Sequence, residues 1–306
     1  MTVSLVVGAG GFVGRHLRRH LHHHGDEVRC VSARLDVPSW PGPGLREPDE
    51  GRIAAALAGI DRVYFVGGVA HEALALNDAE ALHDVNVAAP LRWLRAADRA
   101  GAGAFVWLSS IKVLGDVSAD PLAPAAPYRP EGAYAASKVA AERALLDATL
   151  YHATLAIVRP PLVYGPEVRG NFRRLLRLAS APLPLPVARA VALRSLVSVD
   201  NLCDLLARLE SGARGIFHVA DDRDVSVREL LGEVRRQLGR RPSQIPVPPS
   251  WAWAAARCAG REGWYTRLFE PLRVDQSATR RELDWQPPWP WPQSLTDTVT
   301  WFRTSR

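Results

Sequence analysis

The 306-residue sequence predicts an α/β fold built on a doubly wound parallel sheet, with a smaller C-terminal lobe. Three observations predict it. Short, largely apolar runs recur between helical segments, as at VSLVV (3–7), RVYFV (62–66), FVWL (105–108) and LAIV (155–158). Parallel strands, buried on both faces, read as such continuous runs rather than as alternating ones. The first run closes in Gly8-Ala9-Gly10-Gly11-Phe12-Val13-Gly14 and passes straight into a basic helical segment. Beyond Pro166 the β–α alternation loses its regularity, which marks the second lobe.

Taken in order, a helix over 12–24 ends at Gly25, and a second strand covers 28–33. Residues 38–51 are Pro/Gly-rich loop, followed by a short helix near 52–58 and the strand at 62–66, which ends in Gly67-Gly68. A long helix is expected over 79–100, a strand at 105–108, and a Pro/Ala loop at 117–131. A helix over 132–149 then leads into the strand at 155–158, stopped by Arg159-Pro160-Pro161. Further helices fall near 171–180, 200–210 and 226–238, with a strand at 215–219 and a Pro/Trp-rich tail. The division expected is a dinucleotide-binding domain at 1–165 and a substrate-binding lobe at 166–306, with 195–225 able to return to the first domain.

Composition narrows the function. The chain is 47% hydrophobic and 23% charged, as a folded globular protein is. It holds no run of about 18 apolar residues that would span a membrane. The first strand begins almost at residue 1, with no basic head or cleavage site before it, which points to the cytoplasm. Cys30, Cys203 and Cys258 are far apart and odd in number, so they read as small buried residues and not as a disulfide framework or zinc site. The net charge of +6 is spread along the chain, whereas a nucleic-acid partner would want a basic stripe. His20, His22, His23 and His24 sit on the exposed end of the first helix and are not read as a metal site. The Trp-rich stretches at 251–264 and 285–301 are read as packing of the terminal lobe rather than as a membrane face.

Lys112 and Lys138 are the only lysines among 38 Lys and Arg residues. Arginine is a bulky planar fork that keeps its proton, while lysine is a compact ammonium with a tunable pKa. A surviving lysine is therefore a place to ask whether arginine would fail.

The glycines Gly8, Gly11 and Gly14, between a strand and a helix, allow a tight turn and close approach of a pyrophosphate to backbone N–H groups, with Phe12 and Val13 in the helix's first turn. Ser32-Ala33-Arg34 follows strand two with no acid until Asp36. A small polar residue with a nearby arginine favours a 2′-phosphate, so NADP is slightly favoured over NAD. Tyr134 and Lys138, four apart at the start of a helix, project from one face. A neighbouring ammonium, plus the positive nicotinamide of an oxidised cofactor, would favour the phenolate, lower the pKa of the phenol and fit it for proton transfer, with Ser110 bonding the same oxygen.

Together GAGGFVG (8–14), VGGVAH (66–71), NVAAP (86–90), LSSIKVLG (108–115), YAASK (134–138), RPPLVYGP (159–166), RSLVSVDNL (194–202) and GIFHVADD (215–222) resemble the extended short-chain dehydrogenase/reductases of the nucleotide-sugar epimerase/dehydratase family. The resemblance runs through nearly the whole chain. It implies a Rossmann-type sheet with bound NAD or NADP, a C-terminal substrate lobe for a nucleotide sugar, and a homodimer formed through the helices near 79–100 and 134–149. It makes Tyr134 the acid/base, Lys138 its modulator and a ribose ligand, and Ser110 the hydroxyl partner. Gly67, Gly68 and Ser109 would flank the cofactor, Asn86 would lie behind the nicotinamide, and Pro160 to Val163 would line its carboxamide. Asn171 and Arg194 would meet the sugar nucleotide, with Arg194 on the diphosphate.

Departures from the pattern are the missing Gly-Asp segment at strand three, replaced by GLREPDEG (44–51), and Leu114 where an aromatic is usual. Lys112 either reaches the mouth of the site or pairs with a carboxylate such as Asp116. His71 either contacts substrate or packs. The activities implied are C4 epimerisation of a UDP-hexose or UDP-N-acetylhexosamine, or NADPH-dependent reduction of a UDP-4-keto-6-deoxy sugar. A dehydratase would carry an acid pair before the tyrosine, and after Ser110 this chain offers Ile111-Lys112. A non-catalytic NADP-binding regulator would commonly have lost the Tyr or the Lys.

Overall fold

The computed structural model describes residues 1–32, 50–68, 79–209, 212–260 and 262–305. In chain order the first part runs β1 (Val3–Val7), α1 (Phe12–His23), β2 (Glu27–Val31), α2 (Glu50–Leu57), β3 (Arg62–Phe65), α3 (Ala79–His83), a π-helical turn (Asp84–Ala88), α4 (Ala89–Arg99) and β4 (Ala104–Leu108). A 3₁₀ turn (Ile111–Leu114), β5 (Ser118–Leu122), α5 (Gly132–Leu146), β6 (Thr154–Arg159), β7 (Leu162–Tyr164) and α6 (Gly170–Ala179) follow. The remainder is β8 (Leu193–Arg194), β9 (Leu196–Ser198), α7 (Val199–Arg208), β10 (Gly215–His218), β11 (Val225–Ser226), α8 (Val227–Gln237), α9 (Pro249–Cys258), α10 (Glu262–Phe269), β12 (Leu272–Val274), α11 (Ser277–Glu282) and α12 (Trp291–Thr304).

The main sheet has the order β10-β6-β4-β3-β1-β2, with every pairing parallel. Successive residues of each strand feed opposite cores. Val7, Phe65, Phe105 and Ile157 pack under α2, α4 and α5 through Leu57, Trp93 and Leu145. Val6, Tyr64, Val106 and Ala156 pack under α1 and α7 through Leu17, Leu21, Leu202 and Leu206. The chain moves from β1 to one edge at β2, then returns to the far side of β1 for β3 and the strands beyond. That reversal opens a crevice at the carboxyl ends of β1 and β3, where ligands of doubly wound sheets bind.

A third core joins α6, α8 and α12 through Phe172, Leu176, Leu230, Trp291 and Leu295. Beside it lie a four-stranded sheet, β11-β8-β12-β5, and the parallel pair β7-β9. None of the described helices is long and apolar enough to cross a membrane.

The structure corrects several expectations. The expected loop at 117–131 contains β5, which pairs with β12 at the edge of the smaller sheet. Its Pro121 is tolerated because an edge strand has one unpaired side, and its polar residues conceal it from an apolar pattern. The expected long helix at 79–100 is interrupted by the π turn, and the helix from 132 ends at Leu146. Of the cysteines, Cys258 is exposed on α9, whereas Cys30 and Cys203 are buried. The tryptophans divide: Trp285 and Trp291 are buried, but Trp251, Trp253 and Trp264 stand out from α9 and α10, helices that bury none of their residues. Among the histidines His20 stacks on His24, and no metal-holding group occurs among the described residues.

Candidate active site

The crevice is lined first by glycine. Gly8 leaves β1 with φ +95°, and a Cβ there would stand 2.5 Å from the backbone of Gly67, which follows β3. The Gly8 and Ala9 amides donate to the Val31 carbonyl at the end of β2 (2.8 and 3.2 Å), and the Gly11 amide donates back to Gly8 (2.9 Å). Gly14 lies in the first turn of α1, where a Cβ would meet the Gly8 carbonyl oxygen at 2.2 Å. Strand, turn and helix can therefore close only without side chains at these points. Helix α1 starts at Gly11 with no side-chain cap and no acid in its first turn. Its leading amides, those of Phe12 and Val13 among them, have no intrahelical acceptor and form the positive end of the helix dipole. A cradle of that chemistry fits the pyrophosphate of a dinucleotide.

Ser32 lies directly after β2, half-buried. Arg34 and His71 fall outside the described residues, as do Asp36 and residues 44–49 of the altered strand-three segment. Gly68 is exposed, and a Cβ on it would come within 3.3 Å of Asn86 Oδ1 and 3.5 Å of Lys138 Nζ. Asn86 sits in the π turn and is buried, its amide donating to Ser137 Oγ at 3.1 Å. A π turn widens the helix by one residue and often marks a functional position. No apolar period in the sequence signals it.

Ser110, Tyr134 and Lys138 come together. Ser110 ends the extended chain after β4, and its hydroxyl accepts the Lys112 amide as cap of the 3₁₀ turn. The Tyr134 phenol is hydrogen-bonded to the Ser110 side chain. One turn along α5, Lys138 is buried, with Nζ donating to the Leu108 carbonyl (2.9 Å) and lying 4.5 Å over the Trp107 ring. Burial lowers its pKa to about 8, opposed by the charge of Glu142. For Tyr134 burial works against the expected lowering. Burial pushes the phenol up to about 12, and only the bond from Ser110 works the other way. Desolvation of a would-be phenolate dominates, and the charge of Lys138 is not among the influences on the phenol.

Ser109 turns inward, its hydroxyl donating to the buried carboxylate of Glu142. Pro160 is buried, and its carbonyl accepts the Ile111 amide (3.0 Å), tying the end of β6 to the segment after β4. Val163 lies in β7, paired with Val197.

The expected substrate residues separate into two groups. Lys112 Nζ pairs with both carboxylate oxygens of Asp116 at 2.9 and 3.0 Å. Arg194 and Asn171 meet around an arginine the sequence did not single out. Arg267, on α10, places Nη1 3.5 Å from Asn171 Oδ1, and Arg174 approaches the same oxygen at 3.4 Å. Arg194 donates to the Thr266 carbonyl at 3.3 Å and to that of Glu270. Burial lowers its pKa to about 10, with Asp116 opposing and Arg267 adding to the effect, so it remains a cation at neutral pH. Two converging guanidiniums beside an amide suit a diphosphate. Among so many arginines, no local pattern distinguishes Arg267.

The profile of the NAD dependent epimerase/dehydratase family matches residues 4–216. The chain is similar to a Vibrio cholerae protein named UDP-glucose 4-epimerase, with 31% identity over 314 residues, covering 97% of this chain and 94% of that one. Its fold is similar to MoeE5 solved with UDP-glucose and NAD (TM-score 0.76, 22% identity, 100% and 99% of the two chains). It is also similar to the Streptomyces venezuelae dTDP-glucose 4,6-dehydratase DesIV solved with NAD (TM-score 0.78, 24% identity, 100% and 98%).

Proposed function

The chain belongs to the NAD-dependent epimerase/dehydratase family and is an enzyme of the extended short-chain dehydrogenase/reductase type, and on that footing we propose that it inverts C4 of a UDP-activated hexose or N-acetylhexosamine. The observation that carries the reading is the Ser110–Tyr134 hydroxyl pair beside the buried ammonium of Lys138, next to Gly67-Gly68 and the glycine cradle. The similarity to the Vibrio UDP-glucose 4-epimerase supports the choice of C4 inversion over simple reduction.

The cofactor proposed is NAD, which the similar solved proteins hold; the tilt towards NADP rested on Ser32 with Arg34 and the lack of an acid before Asp36, and of these only Ser32 lies among the described residues. Gly8, Gly11 and Gly14 with the first-turn amides of α1 would hold its pyrophosphate, and Lys138 its ribose. When bound, the dinucleotide supplies a place for the C4 hydride to go and to return from. The protein's own part is proton control. Ser110 and Tyr134 would bracket the sugar's 4-oxygen, Ser110 orienting it and Tyr134 moving its proton. A phenol held at about 12 keeps its proton at neutral pH, which suits the return half of the cycle. In the forward half Tyr134 would accept the sugar's proton as the phenolate, the form that a positive charge such as that of Lys138 favours and that burial by itself opposes. Arg194, Arg267 and Asn171 would anchor the diphosphate and leave the hexose free to turn over.

The test is to purify the enzyme, identify any retained dinucleotide and incubate with UDP-glucose and UDP-N-acetylglucosamine. The expected result is the C4 epimer with no net change in nicotinamide redox state. Stoichiometric NADPH consumption on a UDP-4-keto-6-deoxy sugar would overturn the proposal in favour of a reductase. Arg267→Ala is expected to raise KM for the sugar nucleotide about tenfold or more with a smaller effect on kcat, since a hydrogen bond to a charged group contributes about 1.5–3 kcal/mol. An unchanged KM would remove Arg267 from the diphosphate site.

A further inference from the structure

Behind the catalytic pair lies a buried polar cluster that the chemistry above does not use. Tyr134, Lys138 and Glu142 follow one another at four-residue spacing along α5, so they line one face of the helix. Glu142 is fully buried, as is Arg159 at the end of β6. Arg159 Nε donates to Glu142 Oε1 at 2.9 Å, and its Nη2 donates to Oε2. The Tyr128 hydroxyl donates to Oε2 at 2.8 Å, and the Ser109 hydroxyl donates to Oε1. Arg159 also donates to the Pro124 carbonyl (2.9 Å). One carboxylate thus joins three segments that deliver the site: α5 with Tyr134 and Lys138, the end of β4 before Ser110, and the end of β6 before Pro160.

We propose that Glu142 is a positioning residue of the active site, fixing these three segments against one another and holding Lys138 as an ammonium in a dry interior. The role given to Lys138 rests on the function proposed above, but the electrostatic link between the two side chains does not. The groups that face Glu142 are Arg159 from β6, Ser109 from β4, Tyr128 from the segment before α5, His218 from β10, and Lys138 on α5 itself. His218 is neutral at working pH, since burial and then Arg159 lower its pKa to about 4. Among the described residues, Glu142 is the one charged group acting on Lys138, against full desolvation by burial.

Having only two lysines makes the chain unusually easy to interrogate. Lysine labelled with ¹³C at Cε gives two NMR signals, and Lys112→Arg identifies that of Lys138 with no substrate needed. In the wild type its titration midpoint is expected near 8. Glu142→Gln should lower that midpoint by about one pH unit or more. Because this variant leaves Arg159 buried without its counter-charge and could unfold, Glu142→Gln/Arg159→Leu removes both charges and should show the same lowering. Tyr128→Phe keeps the carboxylate and should leave the midpoint in place.

In the activity assay, the kcat deficit of Glu142→Gln should widen from pH 6 to pH 8, as the weakened lysine loses its proton, with KM changed less than about threefold. A deficit that is constant with pH, or coincident midpoints in wild type and both Glu142 variants, overturns the proposal. A lowered midpoint with no pH-dependent deficit would instead break the assignment of Lys138 to catalysis and leave the electrostatic link standing.

Discussion

Tyr134→Phe should slow turnover of the sugar nucleotide about a thousandfold, within the range of roughly 10²–10⁴ that a positioned proton-transfer group supplies. The substitution removes one oxygen and keeps the ring, so it opens no cavity in α5. The link from Lys138 to the Leu108 carbonyl does not involve the phenol, and the glycine turn lies on other elements. Dinucleotide affinity should therefore stay within about threefold of wild type, measured by calorimetry beside steady-state kinetics. If the variant still turned over, another group would have to move the proton, and Ser110 would be the first to test. The wild-type pH profile carries the same logic. Raising the pH through about 8 removes the charge of Lys138 long before the phenol at about 12 gives up its proton unaided. Activity should fall across that window. A tyrosine acting alone as base would instead gain activity as pH rises.

The middle of the central sheet was legible because β3, β4 and β6 are short, largely apolar runs with glycine or proline close by, and burial on both faces demands that composition. The catalytic trio was legible because its spacing is local: Tyr134 and Lys138 share a helix face, and Ser110 ends a strand. What escaped depends on tertiary neighbours. β5 has the composition of a loop and becomes a strand only because β12 lies beside it. Glu142 and Arg159 look like ordinary surface charges until the fold buries them together. Arg267 acquires a partner in Asn171 only when α10 returns across the lobe. The burial that opposes a phenolate at Tyr134 was hidden for a related reason: spacing reveals which groups are near, whereas desolvation depends on everything packed around them. The same applies to tryptophan. Trp285 finds Asp204 for its indole N–H and is buried, while Trp251 is 71% exposed in an equally Trp-rich stretch.

Gly14→Ala should cost the enzyme its dinucleotide. The added methyl would stand 2.2 Å from the Gly8 carbonyl oxygen and 2.8 Å from Ala9 Cα, and both obstacles are backbone that no rotamer change can move aside. Helix α1 would have to retreat from the β1 turn. That movement costs twice: overpacking of this kind destabilises by about 1–3 kcal/mol, and the leading amides of α1 leave the position from which they meet a pyrophosphate. Retreat is also resisted from behind, since Leu17 and Leu21 on the same helix are buried against the sheet and α7. Affinity for NAD is expected to fall roughly a hundredfold, equivalent to about 2.7 kcal/mol, with a lowered Tm in calorimetry. Wild-type affinity in this variant would mean that the cofactor does not lie on the α1 terminus. Gly11→Ala provides the comparison within the same motif. Its backbone has φ −73° and its methyl would meet the Gly8 carbonyl oxygen at 3.1 Å, a contact relieved by a shift of a few tenths of an ångström. The two substitutions add the same methyl to the same turn, so a large loss at Gly14 with a small one at Gly11 would trace the effect to the approach of helix to strand and not to the chemistry of the side chain.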